Sequence, residues 1–111
     1  MPRVDLEKYY NGFFKDKKDF DREEFREINR GHVISSLFYD VHANRDSILY
    51  RDKLNKIVIP GEPNIIDHSL SVYFDSCMNE NPNCLKGITR EVLKKRIDTA
   101  LSFINVKHVF E

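Results

Sequence analysis

Four polar residues near the middle of the chain, Asp40, His42, Asn44 and Asp46, are of the types that carry acid/base or metal chemistry. Histidine exchanges protons near neutral pH, and a carboxylate can orient it or hold a cation. However, the segment has no HExxH motif, and the other histidines are too distant along the chain to have ligand spacing. We therefore interpret it as a turn at a helix end, in which Asn and Asp side chains bond their own backbone.

The rest of the sequence contains no recognisable catalytic or cofactor-binding motif. The glycines at positions 12, 31, 61 and 87 do not form a phosphate-binding loop. None of the serines stands in a GxSxG context, which is typical of an activated serine nucleophile. We therefore expect a protein that is not an enzyme and that uses no cofactor and no metal.

Two cysteines, Cys77 and Cys84, flank a segment rich in turn-forming residues. In an oxidising compartment they could close a small disulfide loop worth roughly 2 to 3 kcal/mol, whereas in a reducing cytosol both would be thiols. The chain has no CxxC motif, so zinc binding is not expected. We favour unpaired thiols, with a disulfide as the open alternative.

Charge is segregated along the chain, although 18 basic and 18 acidic residues cancel overall. Residues 61–85 carry four acidic residues and no Lys or Arg, while residues 86–96 carry five basic residues and one acidic residue, Glu91. Segregation of this kind serves folding if the two segments pack together, and recognition if each faces a different partner.

The acidic segment predicts a surface for binding another protein. Apolar residues surround much of it in a helical projection, and an acidic and apolar surface suits a basic partner. The predicted partner-binding residues are Glu62, Ile65, Asp67, Val72, Asp75 and Glu80. We therefore expect a small protein-binding module, for instance an inhibitor, an immunity-type neutraliser or an accessory regulator. The expected partner is another protein, for which a basic surface would suit the acidic residues, or a second copy of the chain.

The basic segment supports an alternative, a nucleic-acid-binding accessory protein. The residues that would face phosphates are Lys86, Arg90, Lys94, Lys95 and Arg96. Helical spacing weakens this alternative, because Glu91 lies four residues before Lys95 and pairs of this kind neutralise part of the charge.

The sequence also indicates a compartment. Its first residues are charged and lack an apolar core, and nowhere do about 18 apolar residues run together. We therefore expect neither a signal peptide nor a membrane span, and a cytoplasmic protein.

Composition and periodicity predict a mostly α protein. A chain of 111 residues with 41% hydrophobic residues, including eight Phe and five Tyr, suits one globular domain over 1–111. We expect a compact bundle of about five helices. The first predicted helix spans 5–17 and is capped by Asp5.

The next predicted elements are two helices separated by Gly31. The first, over 21–30, begins with an Asp21 and Glu24 capping box and a staple between Phe20 and Phe25. The second spans 32–42, with strand as a minority interpretation because the segment contains β-branched and aromatic residues.

The second half of the chain is predicted as helices joined by loops. The segment 47–60 is ambiguous between helix and strand, and its end, 56–60, is expected to be extended. A loop follows at 60–63, then a helix over 64–78, a loop over 79–87 and a last helix capped by Thr89. The tail 106–110 is expected to be extended or frayed, and it would form a minor two-stranded ribbon if it pairs with 56–60.

Overall fold

The structure, a computed structural model, describes residues 6–14 and 23–111 of the chain. The described residues form a curled seven-stranded sheet, a half-barrel, with three short helices. In chain order the elements are α1 (Leu6–Phe14), β1 (Phe25–Asn29), β2 (His32–Ser35), β3 (Tyr39–Ala43), β4 (Ser47–Asp52), β5 (Lys56–Asn64), β6 (Ser69–Val72), α2 (Phe74–Glu80), α3 (Arg90–Phe103) and β7 (His108–Phe110). The prediction of a mostly α bundle of about five helices is therefore wrong.

The strands follow one another across the sheet as a meander. Their spatial order equals their chain order, and all neighbours are antiparallel except β7, which lies parallel to β6. Strand β5 bends, so that residues 56–60 pair with β4 and residues 61–64 pair with β6. Because antiparallel neighbours reverse direction, the β1–β2, β3–β4 and β5–β6 turns share one end of the sheet. We call this end the mouth of the half-barrel.

Helix α3 fills the inner face of the curled sheet. The side chains of Leu93, Ile97, Ala100 and Leu101 are fully buried and form an apolar stripe with helical spacing along one face of α3. The sheet residues that belong to the same core are Val33, Tyr39, Val41, Ile48, Tyr50, Ile57 and Ile59. Burying a large apolar side chain contributes roughly 1.5 to 3 kcal/mol, so this contact is the main source of stability.

The predicted cap of the last helix at Thr89 is confirmed. Thr89 is extended at the cap position, and its hydroxyl accepts a hydrogen bond from the backbone N–H of Val92 at 3.2 Å. That bond satisfies one of the helix's free N–H groups.

Helix α1 packs on the outer face of the sheet, over β2. Its buried residues Leu6 and Phe14 contact Ile34, and Tyr9 and Tyr10 pack around this small cluster. The described part of the helix predicted over 5–17 is thus helical, while Asp5 and 15–17 lie outside the described residues.

The helices predicted over 21–30 and 32–42 are wrong wherever the structure describes them, because β1, β2, β3 and their connections occupy those residues. Gly31 lies in the β1–β2 turn and does not end a helix. Strand β2 lies between α3 and α1 and is buried on both faces, so its apolar run lacks the alternation that marks a half-exposed strand. Asp21 and Phe20, on which the predicted helix start rested, lie outside the described residues.

Residues 47–72 also differ from the prediction. The ambiguous segment 47–60 forms β4 and the start of β5, so its extended end is confirmed, but the predicted loop at 60–63 continues β5. The helix predicted over 64–78 is a turn, then β6, then the start of α2. The tail forms β7 yet pairs with β6, so the proposed pairing with 56–60 is wrong.

None of the helices that the structure describes has both the length and the apolar content needed to cross a membrane.

Gly31 is expected to tolerate no side chain. Its φ is +78°, and a Cβ would lie 2.9 Å from the carbonyl oxygen of Ala43. Gly31→Ala should lower the free energy of unfolding by about 1 to 3 kcal/mol, measured by urea denaturation. Gly12→Ala is the matched control, because a Cβ on this α1 residue meets nothing within 4 Å, and stability should stay equal or rise by at most about 1 kcal/mol. Equal effects of the two changes would contradict this account of the turn.

Candidate functional site

An open groove lies at the mouth of the half-barrel, where three turns and the C-terminal end of α3 converge. We call it the mouth groove. It has a volume of about 860 Å³ and opens broadly to solvent. Its defining residues are Arg30, Arg45, Ile65, His68, Leu70 and Ile104. Turns that a rigid sheet positions commonly carry binding residues, so this is the best candidate site.

Two of these turns are tied together by backbone hydrogen bonds. Ala43 N–H donates to the carbonyl of Gly31 at 2.8 Å, which joins the β1–β2 turn to the end of β3. Asn44 N–H donates to Ser47 at 2.8 Å and closes the β3–β4 turn. These bonds hold the backbone of Arg30 and Arg45, one in each turn, at a defined separation.

The third turn, between β5 and β6, is stabilised by its own side chains. Asn64 Oδ1 accepts from Ile66 N–H at 3.0 Å, and Asp67 Oδ1 accepts from the Ser69 hydroxyl at 2.6 Å. His68 has the positive φ of 57° that the tight reversal requires. The turn projects Ile65 and Ile66, which are 84% and 93% exposed.

The floor of the mouth groove is apolar. Leu70 is buried in the main core, and Ile104 and Val106 are half-buried against it. These side chains belong to the edge of the core, so they form a preformed surface that is accessible from one side.

Away from the mouth groove, a cluster of polar residues lies on the outer face of the sheet. Asp40 is buried, accepts from His32 Nε2 at 2.7 Å, and accepts two hydrogen bonds from the Arg51 guanidinium, one of them from Nε at 3.0 Å. His42 lies directly opposite His32 in the β2–β3 pairing, and the two rings stack with centroids 4.7 Å apart. Tyr9 of α1 meets the His32 ring edge-on at 5.5 Å.

This cluster has the features of a structural ion network. Burial works to raise the pKa of Asp40, but hydrogen bonds from His32 and Arg51 outweigh it and hold the pKa below its usual value. The carboxylate thereby ties three neighbouring strands together. Its position corrects the sequence analysis, which placed Asp40 and His42 at a helix end and saw no histidine partner. Only the sheet register brings His32 to His42.

Another polar cluster closes the inner face of the sheet at the end opposite the mouth. Tyr39 and Ser35 both donate hydrogen bonds to Glu23 Oε2. Burial, followed by the contact with Glu23, raises the pKa of Tyr39 far above its usual range. Tyr50 donates to Asp52 at 2.6 Å and accepts from Arg96 at 2.8 Å. The bond from Arg96 fastens α3 to the sheet.

The predicted acidic surface does not form one continuous patch. Val72 is fully buried in β6, and Asp75 pairs with Arg90 at 3.2 Å. Glu62 accepts from the Tyr73 hydroxyl at 2.7 Å, and Asp67 is engaged with Ser69 as described. Glu80 is exposed at the end of α2, and Ile65 is the member that lines the mouth groove. A role of these residues in partner binding stays a prediction.

The predicted basic surface is also partly engaged within the protein. Arg90 contacts Asp75, Arg96 lies 3.8 Å from Asp52, and Lys94 lies over the rings of Phe74 and Phe110. Lys86 and Lys95 have exposed side chains. Their contact with nucleic acid likewise stays a prediction.

Cys77 and Cys84 are both half-buried free thiols. Burial, with smaller contributions from Cys84 and Glu80, raises the pKa of Cys77, which disfavours the reactive thiolate. Within residues 6–14 and 23–111, no three His, Cys, Asp or Glu side chains converge as metal ligands.

Comparison with protein-family models, curated proteins and solved structures found no match to this chain.

The buried contact between Asp40 and His32 should contribute more to stability than the exposed contact between Asp98 and His108, although the two distances are similar. Asp40→Asn would leave His32 and Arg51 without their anionic partner and should lower the free energy of unfolding by about 3 kcal/mol or more. Asp98→Asn is the matched control, because exposed Asp98 lies 2.6 Å from His108 Nε2 and should contribute less than about 1 kcal/mol. Urea denaturation at pH 7 compares the two, and similar losses would contradict the assigned role of Asp40.

His42 should make stability dependent on pH. Burial, together with the charges of His32 and Arg51, lowers the pKa of His42, although Asp40 opposes this. The unfolded chain therefore takes up a proton at higher pH than the folded chain, and stability falls as pH decreases through about 6.5. The loss in unfolding free energy between pH 7 and pH 5 should be smaller in His42→Gln than in the unaltered protein. Equal losses would show that His42 does not carry this dependence.

Proposed function

We propose that the protein is a non-enzymatic binding module that recognises a segment of another protein at the mouth groove. The observation that carries the proposal is the exposed pair Ile65 and Ile66, held on a hydrogen-bonded turn beside an open apolar floor. Large aliphatic side chains that a structured turn exposes together are typical of an interaction surface.

The shape of the groove favours a protein segment over a small molecule. Small-molecule sites are concave enough to bury most of the ligand surface. The mouth groove is instead broad and open, and it is bounded by three separate turns. A chain segment can span the turns and contact the floor and the exposed isoleucines at once.

The mouth groove also suits a partner better than the acidic surface predicted from the sequence. Three of the four acidic residues, Glu62, Asp67 and Asp75, already have partners within the chain, and Val72 is not accessible. Charge that is engaged internally contributes less to the attraction of a basic protein. We therefore retain protein binding as the expected function and assign it to the mouth groove instead of the acidic surface.

The nucleic-acid alternative has weaker support. Of its five basic residues, Arg90 and Arg96 have acidic partners within the chain. Nucleic-acid binding depends on charges that are free to neutralise phosphates.

The proposal predicts that a photoreactive side chain at position 66 will crosslink a discrete partner. Replacing Ile66 with p-benzoylphenylalanine in cells of the source organism, followed by irradiation, should yield one predominant product containing a second protein. Leu54→p-benzoylphenylalanine is the matched control, because Leu54 is 61% exposed in the β4–β5 turn at the opposite end of the sheet. It should give no such product.

Three outcomes would contradict the proposal. They are no discrete product at position 66, the same product at both positions, and a product that contains only two copies of this chain. The last would assign the mouth groove to self-association.

A further inference from the structure

The charged residues that line the mouth groove are mainly basic. Arg30, Arg45 and His68 lie on its rim, with Glu27 as the acidic lining residue. Neither arginine forms a side-chain hydrogen bond or ion pair with any residue in the described part of the chain. Both guanidinium groups are therefore available to a ligand.

Two acidic residues beside the groove, Asp46 and Asp67, lie outside its lining. Asp67 does not line the groove, and its carboxylate accepts hydrogen bonds from the Ser69 hydroxyl and the Ser69 backbone N–H. Asp46 follows Arg45 in the β3–β4 turn and is also outside the lining. The rim that a ligand would meet thus presents arginine.

The two arginines are preorganised at the level of the backbone. The Ala43 to Gly31 hydrogen bond connects their turns, and the positive φ of Gly31 sets the direction of the chain just after Arg30. A ligand therefore does not have to order these turns on binding, which lowers the entropic cost of association. Arginine is also the side chain best suited to carboxylates, because its planar fork can donate two parallel hydrogen bonds.

We infer, as a deepening of the proposed function, that the segment bound at the mouth groove is acidic and aliphatic. Its carboxylates contact Arg30 and Arg45, while an aliphatic side chain covers Leu70 and Ile104. The arginines provide orientation and specificity, and the apolar floor together with Ile65 provides the buried contact. This partner is opposite in charge to the basic one that the acidic segment predicted.

The inference can be tested with a short, capped peptide of alternating aspartate and leucine, titrated into the isotope-labelled full chain. In proton–nitrogen correlation spectra, the amide signals of Gly31, Arg45 and Ile66 should shift. The affinity should fall as salt rises from about 50 to 300 mM. A matching lysine and leucine peptide should not shift these signals.

Charge-reversal variants locate the contact. The double change Arg30→Glu and Arg45→Glu should weaken binding of the acidic peptide about tenfold or more, because two favourable contacts become repulsive. The double change Lys53→Glu and Lys56→Glu alters net charge equally but lies away from the mouth, and affinity should remain within about twofold. Unchanged melting temperatures would show that both variants remain folded.

The outcomes separate this inference from the proposed function. If position 66 crosslinks a partner but the two double variants bind the acidic peptide equally, the partner is not acidic and only the inference is wrong. If position 66 yields no partner, both fall. Tighter binding of a single-stranded oligonucleotide at the same turns would overturn the inference in favour of nucleic acid. Shifts that depend on protein concentration alone would overturn it in favour of a second copy.

Discussion

Burial of α3 against the curled sheet is the contact on which the rest of the structure depends. Four of its side chains are fully buried, and they face the alternate residues of β2 to β5 that point inward. The sheet must curl to surround a helix in this way, and the curl creates the half-barrel. Polar residues secure the arrangement at one end, where Arg96 links α3 to Tyr50 and Asp52.

The meander connection then gives the two ends different chemistry. Alternate turns fall at alternate ends, so residues distant in sequence, such as Arg30, Arg45 and His68, line the same groove. At the opposite end the inner face is closed by the Glu23, Ser35 and Tyr39 cluster. The mouth retains an accessible edge of the core beside charged side chains, a combination that suits recognition.

On the outer face, polar residues of the types found in catalytic centres have a structural role, and their contacts with neighbouring strands show this. His32, Asp40 and Arg51 form a buried network, but every strong interaction of the carboxylate is with a neighbouring strand. The arrangement stabilises the sheet under α1, whereas Arg30 and Arg45 at the mouth form no side-chain hydrogen bond or ion pair with another described residue.

The sequence by itself determined the elements whose signals are local. Thr89 and the stripe from Leu93 to Leu101 specify α3, and the β-branched residues at 56–60 specify an extended segment, because caps and side-chain period act over a few residues. Only the tertiary structure decided that 32–43 forms β2 and β3. Because β2 is buried on both faces, its sequence lacks the alternation of apolar and polar residues that would distinguish a strand from a helix. The tertiary structure also brought the candidate site together. Ile65 was identified as a surface residue from sequence, whereas Arg30, Arg45 and His68 carry no motif and line one groove only because the sheet register brings their turns together.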